Sequence, residues 1–138
     1  MSQENVEIVR RIYDEGLIDR DPETWLLDLA TPDIEYVNPQ YAVEPGVRRG
    51  PAEVVQAMRR FAEPWEDSRH ELRKLYDGGQ IVVADVSWHI RGRGSDREIV
   101  NHEAHTWTLH EGSIARFEWG QDVVKALKAA GLRDTQRS

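Results

Sequence analysis

Cysteine is absent from the sequence, and its absence excludes disulfides, thiolate metal sites and a cysteine nucleophile. The chain also lacks any apolar run near the roughly 20 residues that a transmembrane helix requires. Its N-terminal segment carries acidic residues and has no apolar core of the kind found in signal peptides. We therefore expect no membrane partner and no export, and the missing cysteines are consistent with a cytoplasmic location.

Basic residues are also fewer than acidic ones. The chain has 18 lysines and arginines against 25 aspartates and glutamates, which gives a formal net charge of −7. Because a nucleic-acid-binding face has to be basic, we expect no nucleic-acid partner. Aromatic residues, in contrast, are well represented, with five tryptophans and four tyrosines in 138 residues. This length corresponds to one domain, residues 1–138, of which 133–138 are expected to form a disordered tail.

The first half of the chain predicts helices and one short strand. Apolar residues recur at helical spacing in three segments, and a proline at the first helical position supports the second and the third. The predicted helices cover residues 2–19, 20–30 and 50–65. A short strand at 33–37 ends at Asn38-Pro39, and residues 40–50 form a loop or a short hairpin.

The second half predicts a meander of strands. Runs of alternating residues are separated by glycine-containing turns, which is typical of hairpins. The strands are expected at 70–76, 81–90, 97–110 and 114–120. A last helix follows at 121–130, with Asp122 as its cap. Helices followed by an antiparallel meander indicate an α+β fold.

One strand of this meander carries polar side chains on the face that should be buried. In the strand 97–110 the odd-numbered positions hold the large apolar residues Ile99, Trp107 and Leu109, so this face is expected to point inward. The same face carries Asn101, Glu103 and His105. An unpaired buried polar group costs about 1–3 kcal/mol. Either these side chains satisfy each other in a wet part of the sheet, or they line a ligand pocket with aromatic walls.

The neighbouring strands supply the walls of such a pocket. Alternation places Val86 and Trp88 on the inner face, together with Phe117 and Trp119, whereas Ile114 falls on the outer face. The residues predicted to bind the ligand are Tyr36, Tyr41, Met58, Val86, Trp88, Asn101, Trp107, Phe117 and Trp119. The outer face mixes polar and apolar residues, a composition that suits a protein interface.

The segment YVNPQY, residues 36–41, places an amide at a rigid strand exit. A proline fixes its own φ and biases the preceding residue toward extended geometry, which can aim the Asn38 side chain at a ligand. An amide donates and accepts hydrogen bonds but cannot act as a base. The alternative interpretation is that Asn38 only caps the turn at the end of the strand.

Segments distributed over nearly the whole chain carry a family resemblance. They are IVRRIYDEGLIDRDPETW, the strand that ends in NP, GVRRGPAEV, RGRGS and HTWTLHEGSIARFEWGQD. With these segments the chain resembles the SnoaL-like and ketosteroid-isomerase-like group of nuclear-transport-factor-like proteins. The resemblance implies a cone-shaped α+β barrel, in which a curved antiparallel sheet wraps around helices. Because the group includes isomerases, cyclases, dehydratases, hydrolases and binders, the resemblance indicates the fold more strongly than the function.

The resemblance to ketosteroid isomerases also implies a catalytic set. Tyr13 falls at the position of a tyrosine that donates to the substrate oxygen, and His105 falls at the position of a second donor. Asn38 falls at the position of the aspartate base, so we do not expect a typical ketosteroid isomerase. A base would then have to be Glu103 or His105, which lie two apart on one strand and face the same way.

Both candidate bases have a structural alternative. His105 can be a ring-stacked histidine of the core. Glu103 can form an ion pair with an arginine, such as Arg91 or Arg116. We expect no metal, because the HEAH segment places His102 and His105 on opposite faces of a strand.

Two functional hypotheses follow. In the first, the chain is a cofactor-independent isomerase, cyclase or dehydratase that abstracts a proton beside a carbonyl of a small hydrophobic or cyclic compound. In the second, it is a non-catalytic small-ligand-binding domain or a dimeric scaffold. Neither hypothesis calls for a cofactor, and the resemblance implies a homodimer that forms through the outer face of the sheet.

Overall fold

A curved, open sheet of six strands organises the structure, a computed structural model that describes residues 2–132. The strands are β1 (Ala30–Asn38), β2 (Gly46–Arg49), β3 (Trp65–Gly78), β4 (Ile81–Gly92), β5 (Glu98–His110) and β6 (Ser113–Gly120). They lie in the order β2-β1-β6-β5-β4-β3. The predicted tail at 133–138 lies outside the described residues.

Within residues 2–132 four helices and two 3₁₀ turns accompany the sheet. They are α1 (Ser2–Asp14), the turns Leu17–Asp19 and Pro22–Thr24, α2 (Leu26–Leu29), α3 (Pro51–Ala62) and α4 (Val123–Ala129). Helix α1 is amphipathic, because Val9 and Ile12 are fully buried while Arg10 and Arg11 are exposed. Over this part of the chain, every helix is too short or too polar to cross a bilayer.

The sheet is antiparallel except at one junction. β1 pairs with β6 in parallel, whereas β1 and β2 and all neighbours from β3 to β6 are antiparallel. The α+β class and the curved sheet are confirmed, and the pair of β1 with β6 is the parallel exception in a mainly antiparallel sheet. A parallel pair needs a long crossover between its strands, and the chain between β1 and β6 supplies it. The sheet ends at β2 and β3, so it does not close into a barrel.

The predicted helix at 20–30 is much shorter in the structure. Only the turn Pro22–Thr24 and α2 remain, because Trp25 leaves helical geometry between them, with φ at −140°. Ala30, the last residue of the predicted helix, joins β1 and pairs with β6. Pro32, which follows the predicted helix, lies inside β1. It falls in the irregular stretch of the β1–β6 pairing between Ala30 and Glu35, where a residue without a backbone donor is tolerated.

The third predicted helix also ends earlier than expected. Helix α3 stops at Ala62 and not at Trp65, since Pro64 cannot continue a helix. Trp65 instead begins β3 and pairs with Gly92, so this strand starts well before the predicted residue 70. Residues 40–50 contain β2, so the short-hairpin alternative is the correct one.

Two apolar clusters lie on opposite faces of the sheet. The larger one joins α1, α3 and the inner face, and its members include Val9, Ile12, Val54, Trp107 and Phe117. The smaller one packs α4 on the outer face through Tyr76, Val83 and Leu127. As predicted, Asp122 caps α4, because its side chain accepts a hydrogen bond from the backbone N–H of Lys125. The inner face is therefore the side on which the long helices can enclose a cavity.

A β-bulge reverses the predicted orientation of Ile114. Thr108 pairs with Arg116, but Leu109 pairs with Ile114, so Ala115 is an extra residue in β6. The extra residue shifts the alternation by one position, and Ile114 becomes fully buried in the larger cluster. At the other end of β5, Ile99 pairs with the buried Ile90 and so lies on the predicted inner side of the sheet, but it is 47% exposed.

These two isoleucines form a matched test of the bulge. We expect Ile114→Ala to lower the free energy of unfolding by about 2–5 kcal/mol, because it leaves a cavity in the core. Ile99→Ala should change it by no more than about 0.5 kcal/mol, as at other exposed sites. Urea unfolding followed by tryptophan fluorescence measures both values. Equal costs for the two variants would show that β6 lacks the bulge.

Candidate active site

A cavity of about 420 Å³ opens on the inner face of the sheet. Its walls are mainly aromatic and consist of Trp25, Tyr36, Phe61, Trp88, Phe117 and Trp119. Polar side chains converge on its inner end, namely Ser68, His70, Glu103 and His105. Largely exposed charged residues, among them Arg59 and Arg93, form the rim. Apolar walls with a few convergent polar groups are typical of sites for small organic molecules.

A chain of hydrogen bonds links four buried side chains beside this cavity. The indole nitrogen of Trp107 lies 2.9 Å from the hydroxyl oxygen of Tyr13, and that oxygen lies 2.6 Å from Nδ1 of His105. The other ring nitrogen of His105, Nε2, lies 2.8 Å from Oε1 of Glu103. Because side chains alternate along β5, Glu103, His105 and Trp107 share the inner face, and α1 brings Tyr13 against them.

The direction of each hydrogen bond in this chain can be assigned. Burial lowers the pKa of His105, and it does so more strongly than the neighbouring Glu103 raises it, which favours a neutral ring. A carboxylate only accepts, so a neutral His105 donates from Nε2 to Glu103 and accepts at Nδ1 from the hydroxyl of Tyr13. The oxygen of Tyr13 in turn accepts from the indole N–H of Trp107.

This assignment changes the roles that the resemblance implies. The hydroxyl group of Tyr13 already donates its hydrogen bond to His105. Tyr13 is also not among the residues that line the cavity. The lone pair on Nδ1 of His105 accepts this hydrogen bond and is therefore not available to a substrate proton. Glu103 is the remaining group of the chain that can accept a proton, and it lines the cavity while only 3% exposed.

Within residues 2–132 the structure shows no ion pair between Glu103 and an arginine. The expected arginine partners bind other residues, because Arg91 pairs with Asp67 and Arg116 lies closest to Glu118. In place of an arginine, Glu103 contacts His105 and approaches His70, whose Nε2 lies 3.9 Å from its Oε1. Both partners are imidazoles that line the same cavity.

His70 and Asp19 are functional candidates that the sequence analysis missed. The carboxylate of Asp19 lies 2.8 Å from Nδ1 of His70 and accepts a hydrogen bond from the backbone N–H of His70. The ring is thus fixed with Nε2 toward Glu103, and it stacks on Trp88 with 5.6 Å between centroids. Alternation through Ser68 and His70 could have revealed this face, but the predicted strand began only at residue 70. The partnership with Asp19 joins two distant segments and has no sequence signal.

Asn38 occupies a structural position in this geometry. Its side-chain nitrogen lies 2.7 Å from the backbone oxygen of Glu44, and its oxygen accepts a hydrogen bond from the indole of Trp119. The contact with Glu44 agrees with the turn-capping interpretation. The contact with Trp119 holds a wall residue of the cavity in place. Asn38 also lines a neighbouring cavity of about 360 Å³.

The residues predicted to bind a ligand divide into four groups. Five of them line the main cavity, namely Tyr36, Met58, Trp88, Phe117 and Trp119. Tyr41 is 62% exposed and lines the neighbouring cavity, with its ring edge-on to Trp119. Val86 and Trp107 are fully buried in the core. Asn101 is half-buried opposite Trp88 and outside the lining of the main cavity.

Tyr36 is the wall residue best suited to donate a hydrogen bond. Its ring stacks on Phe117 with 5.7 Å between centroids, which fixes its orientation. Burial, and next the negative charge of Glu103, raises the pKa of Tyr36 well above its usual range. The hydroxyl therefore keeps its proton under all ordinary conditions, and Tyr36 and Glu103 face the cavity as a donor and an acceptor.

The sequence matches the family model of the SnoaL-like domain over residues 9–117. The chain belongs to the SnoaL-like domain family. The resemblance stated from the sequence is thereby confirmed, and it places the chain in a group whose members share a ligand-binding or cyclase- and isomerase-type scaffold. Among curated proteins, none matches the sequence.

Several solved structures share the fold of this chain. A protein from Jannaschia sp. CCS1, described as a SnoaL-like polyketide cyclase, superposes with a TM-score of 0.74 at 17% identity, covering 94% of this chain and 92% of that one. TerC, co-crystallised with polyporic acid, gives 0.71 at 23% identity, with 93% and 98% covered. An NTF2-like protein from Burkholderia pseudomallei K96243 gives 0.72 at 19% identity, with 91% and 95% covered. At these identities the likeness establishes the fold.

The raised pKa of Tyr36 predicts a loss of stability in alkaline solution. A tyrosine whose pKa is higher in the folded state stabilises the fold fully below its unfolded pKa, about 10, and this contribution falls as the pH rises above that value. Above this pH, each such tyrosine lowers the free energy of unfolding by up to about 1.4 kcal/mol per pH unit. Tyr36→Phe removes one of them, so its unfolding free energy should decline less steeply above pH 10.

Urea unfolding at a series of pH values measures this slope. Tyr41→Phe is the matched control, because Tyr41 is mostly exposed and burial raises its pKa less than that of Tyr36, so its replacement should reduce the slope by a smaller amount. A wild-type slope retained in Tyr36→Phe would mean that Tyr36 ionises normally in the folded protein.

Proposed function

We propose that the chain is a cofactor-independent proton-transfer enzyme of the isomerase or cyclase type. Its substrate is a small hydrophobic or cyclic compound with a proton beside a carbonyl. The observation that carries this proposal is the carboxylate of Glu103, which is buried at the inner end of an aromatic cavity and oriented by the N–H of a neutral His105. A cytoplasmic location, expected from the sequence, belongs to the same proposal.

The proposed step moves one proton. Glu103 takes it from the carbon beside the carbonyl, and the electron pair of that C–H bond forms the enolate. The negative charge that develops on the carbonyl oxygen accepts a hydrogen bond from Tyr36. In an isomerase the proton returns to another carbon of the substrate. In a cyclase the enolate carbon attacks a second carbonyl carbon of the same molecule, the π electrons of that carbonyl move to its oxygen, and this oxygen takes the proton from Glu103.

The remaining polar residues position these two groups. His105 orients Glu103, and Tyr13 and Trp107 fix the tautomer of His105. The aromatic walls exclude water, which strengthens the interaction between the developing charge and the Tyr36 donor. Two relatives support the substrate class, since one is described as a polyketide cyclase and another was crystallised with polyporic acid.

Exchange of carbon-bound protons tests this proposal without a known substrate. In D₂O the protein should speed the exchange of protons beside the carbonyl of cyclic ketones such as 2-tetralone, as followed by proton NMR. Glu103→Gln keeps an oxygen acceptor for His105 but cannot take a proton, so its exchange rate should fall by about 100-fold or more. Glu98→Gln on the same strand is the matched control, because Glu98 is exposed, and it should exchange like the wild type.

Two results would count against the enzyme. Exchange at the wild-type rate in Glu103→Gln would exclude Glu103 as the base. Saturable binding of the ketones with no exchange above the buffer rate would favour the alternative of a non-catalytic ligand-binding domain.

We propose further that the chain forms a homodimer through the outer face of the sheet. Support comes from the composition of this face, where Val100 is 48% exposed beside polar strand residues such as His102. A two-fold dimer would bring the same face of both copies together. Light scattering at micromolar concentration should give twice the chain mass of 15.9 kDa.

A charge on this face should separate the two copies. Val100→Arg is expected to give the single-chain mass, because it would bring two like charges into the interface. Val43→Arg is the control, since Val43 is fully exposed in the turn after β1, and it should remain dimeric. A wild-type mass of one chain would exclude the dimer.

A further inference from the structure

We propose that His70, Glu103 and His105 form a binding site for a divalent metal ion. Each of these residues offers one ligand atom, and these atoms all lie within 4.8 Å of one another. The inference goes beyond the proposed function, because it requires these side chains and no organic substrate. The HEAH segment alone does not predict this site, because His70 lies on a different strand.

The spacing of the ligand atoms suits a small cation. Oε1 of Glu103 lies 2.8 Å from Nε2 of His105 and 3.9 Å from Nε2 of His70. Tetrahedral zinc, with bonds of about 2.0–2.2 Å, holds its ligand atoms about 3.3 Å apart. The observed distances lie on either side of this value, so small rotations of the side chains would admit the ion.

Both histidines have the outer contacts that are typical of metal ligands. A metal-bound histidine usually donates its second ring N–H to a carboxylate or another oxygen, which fixes the ring. Nδ1 of His70 lies 2.8 Å from Asp19, and Nδ1 of His105 lies 2.6 Å from the Tyr13 hydroxyl. On metal binding His105 would move its proton from Nε2 to Nδ1, where the oxygen of Tyr13 can accept it.

Charge favours a cation at this position. Glu103 is buried, and within residues 2–132 both of its ion-pair contacts are histidines and none is a lysine or an arginine. Two imidazoles and one carboxylate suit zinc, cobalt, nickel, manganese or ferrous iron. All three residues line the main cavity, so the ion would keep positions open for water or for an oxygen of a bound molecule.

Metal binding would exclude proton abstraction by Glu103. The carboxylate lone pair would be donated to the ion, so the loaded protein could not use Glu103 as a base. Zinc should therefore suppress ketone exchange, and removal of zinc with a chelator should restore it.

Titration of the metal-free full chain tests the site. We expect Co²⁺ to bind with one equivalent per chain and to give visible absorption bands, and Zn²⁺ to displace it. Asp19→Asn should weaken Zn²⁺ binding by about 10–100-fold, as expected for the loss of an outer partner. His70→Gln and Glu103→Gln each remove a ligand and should weaken binding further. Circular dichroism confirms that each variant is folded.

The matched control is a second histidine that lies between carboxylates. His89 contacts Glu71 and Glu98 on the outer face and could bind metal at the surface. His89→Gln should leave Co²⁺ binding unchanged. Loss of binding in His89→Gln, or unchanged binding in His70→Gln and Glu103→Gln, would overturn the inference.

The outcomes separate this inference from the proposed function. Ketone exchange by a protein that binds no Co²⁺ would overturn the metal site and leave the proton-transfer proposal in place. Binding of one Co²⁺ that depends on His70, by a metal-free protein that shows no exchange, would support the metal site and count against the enzyme.

Discussion

The buried carboxylate of Glu103 is the feature on which the rest of the site depends. Moving a charge from water into a protein interior costs several kcal/mol unless hydrogen bonds and nearby charges compensate it. Here the compensation comes from His105, which donates a hydrogen bond, and from the nearby ring of His70. The aromatic cavity can surround Glu103 because these two rings satisfy it from within the protein.

Each compensating ring is itself held by a residue from another element. Tyr13 of α1 holds His105, and Asp19 of the 3₁₀ turn Leu17–Asp19 holds His70. The sheet supplies the acid and both histidines, while the N-terminal segment supplies the outer contacts. Positioning of this kind keeps polar groups in a fixed geometry before any ligand arrives. A small displacement of the N-terminal segment that contains α1 and this turn would therefore disturb both rings together.

Most of the correct predictions about the site came from the alternation of side chains along the strands. It placed Glu103, His105 and Trp107 on one buried face of β5, and Trp88 and Phe117 on the neighbouring strands, because a strand repeats every two residues whatever its surroundings. It was wrong at Ile114 because a single extra residue inverts the pattern. Bulges depend on the pairing of two strands, and a periodicity taken from one strand does not contain that information.

Contacts between distant segments were the other part that the sequence did not reveal. Asp19 and His70 meet only after the N-terminal segment has packed on β3, and no local spacing marks that contact. The end of the second helix has a related cause, because Ala30 pairs with Ile114 of β6 and does not continue the helix. Both features depend on contacts between segments that are distant in the sequence.

The parallel pairing of β1 with β6 has a consequence for how the chain can fold. β1 belongs to the first third of the sequence and β6 to its final part, so their contact closes a loop that contains most of the protein. Closing a long loop costs chain entropy before any contact compensates it, which slows folding. During synthesis on a ribosome, β1 would have only β2 as a sheet neighbour until β6 had emerged. A truncated chain that ends before β6 would therefore expose an unpaired edge in the middle of its sheet.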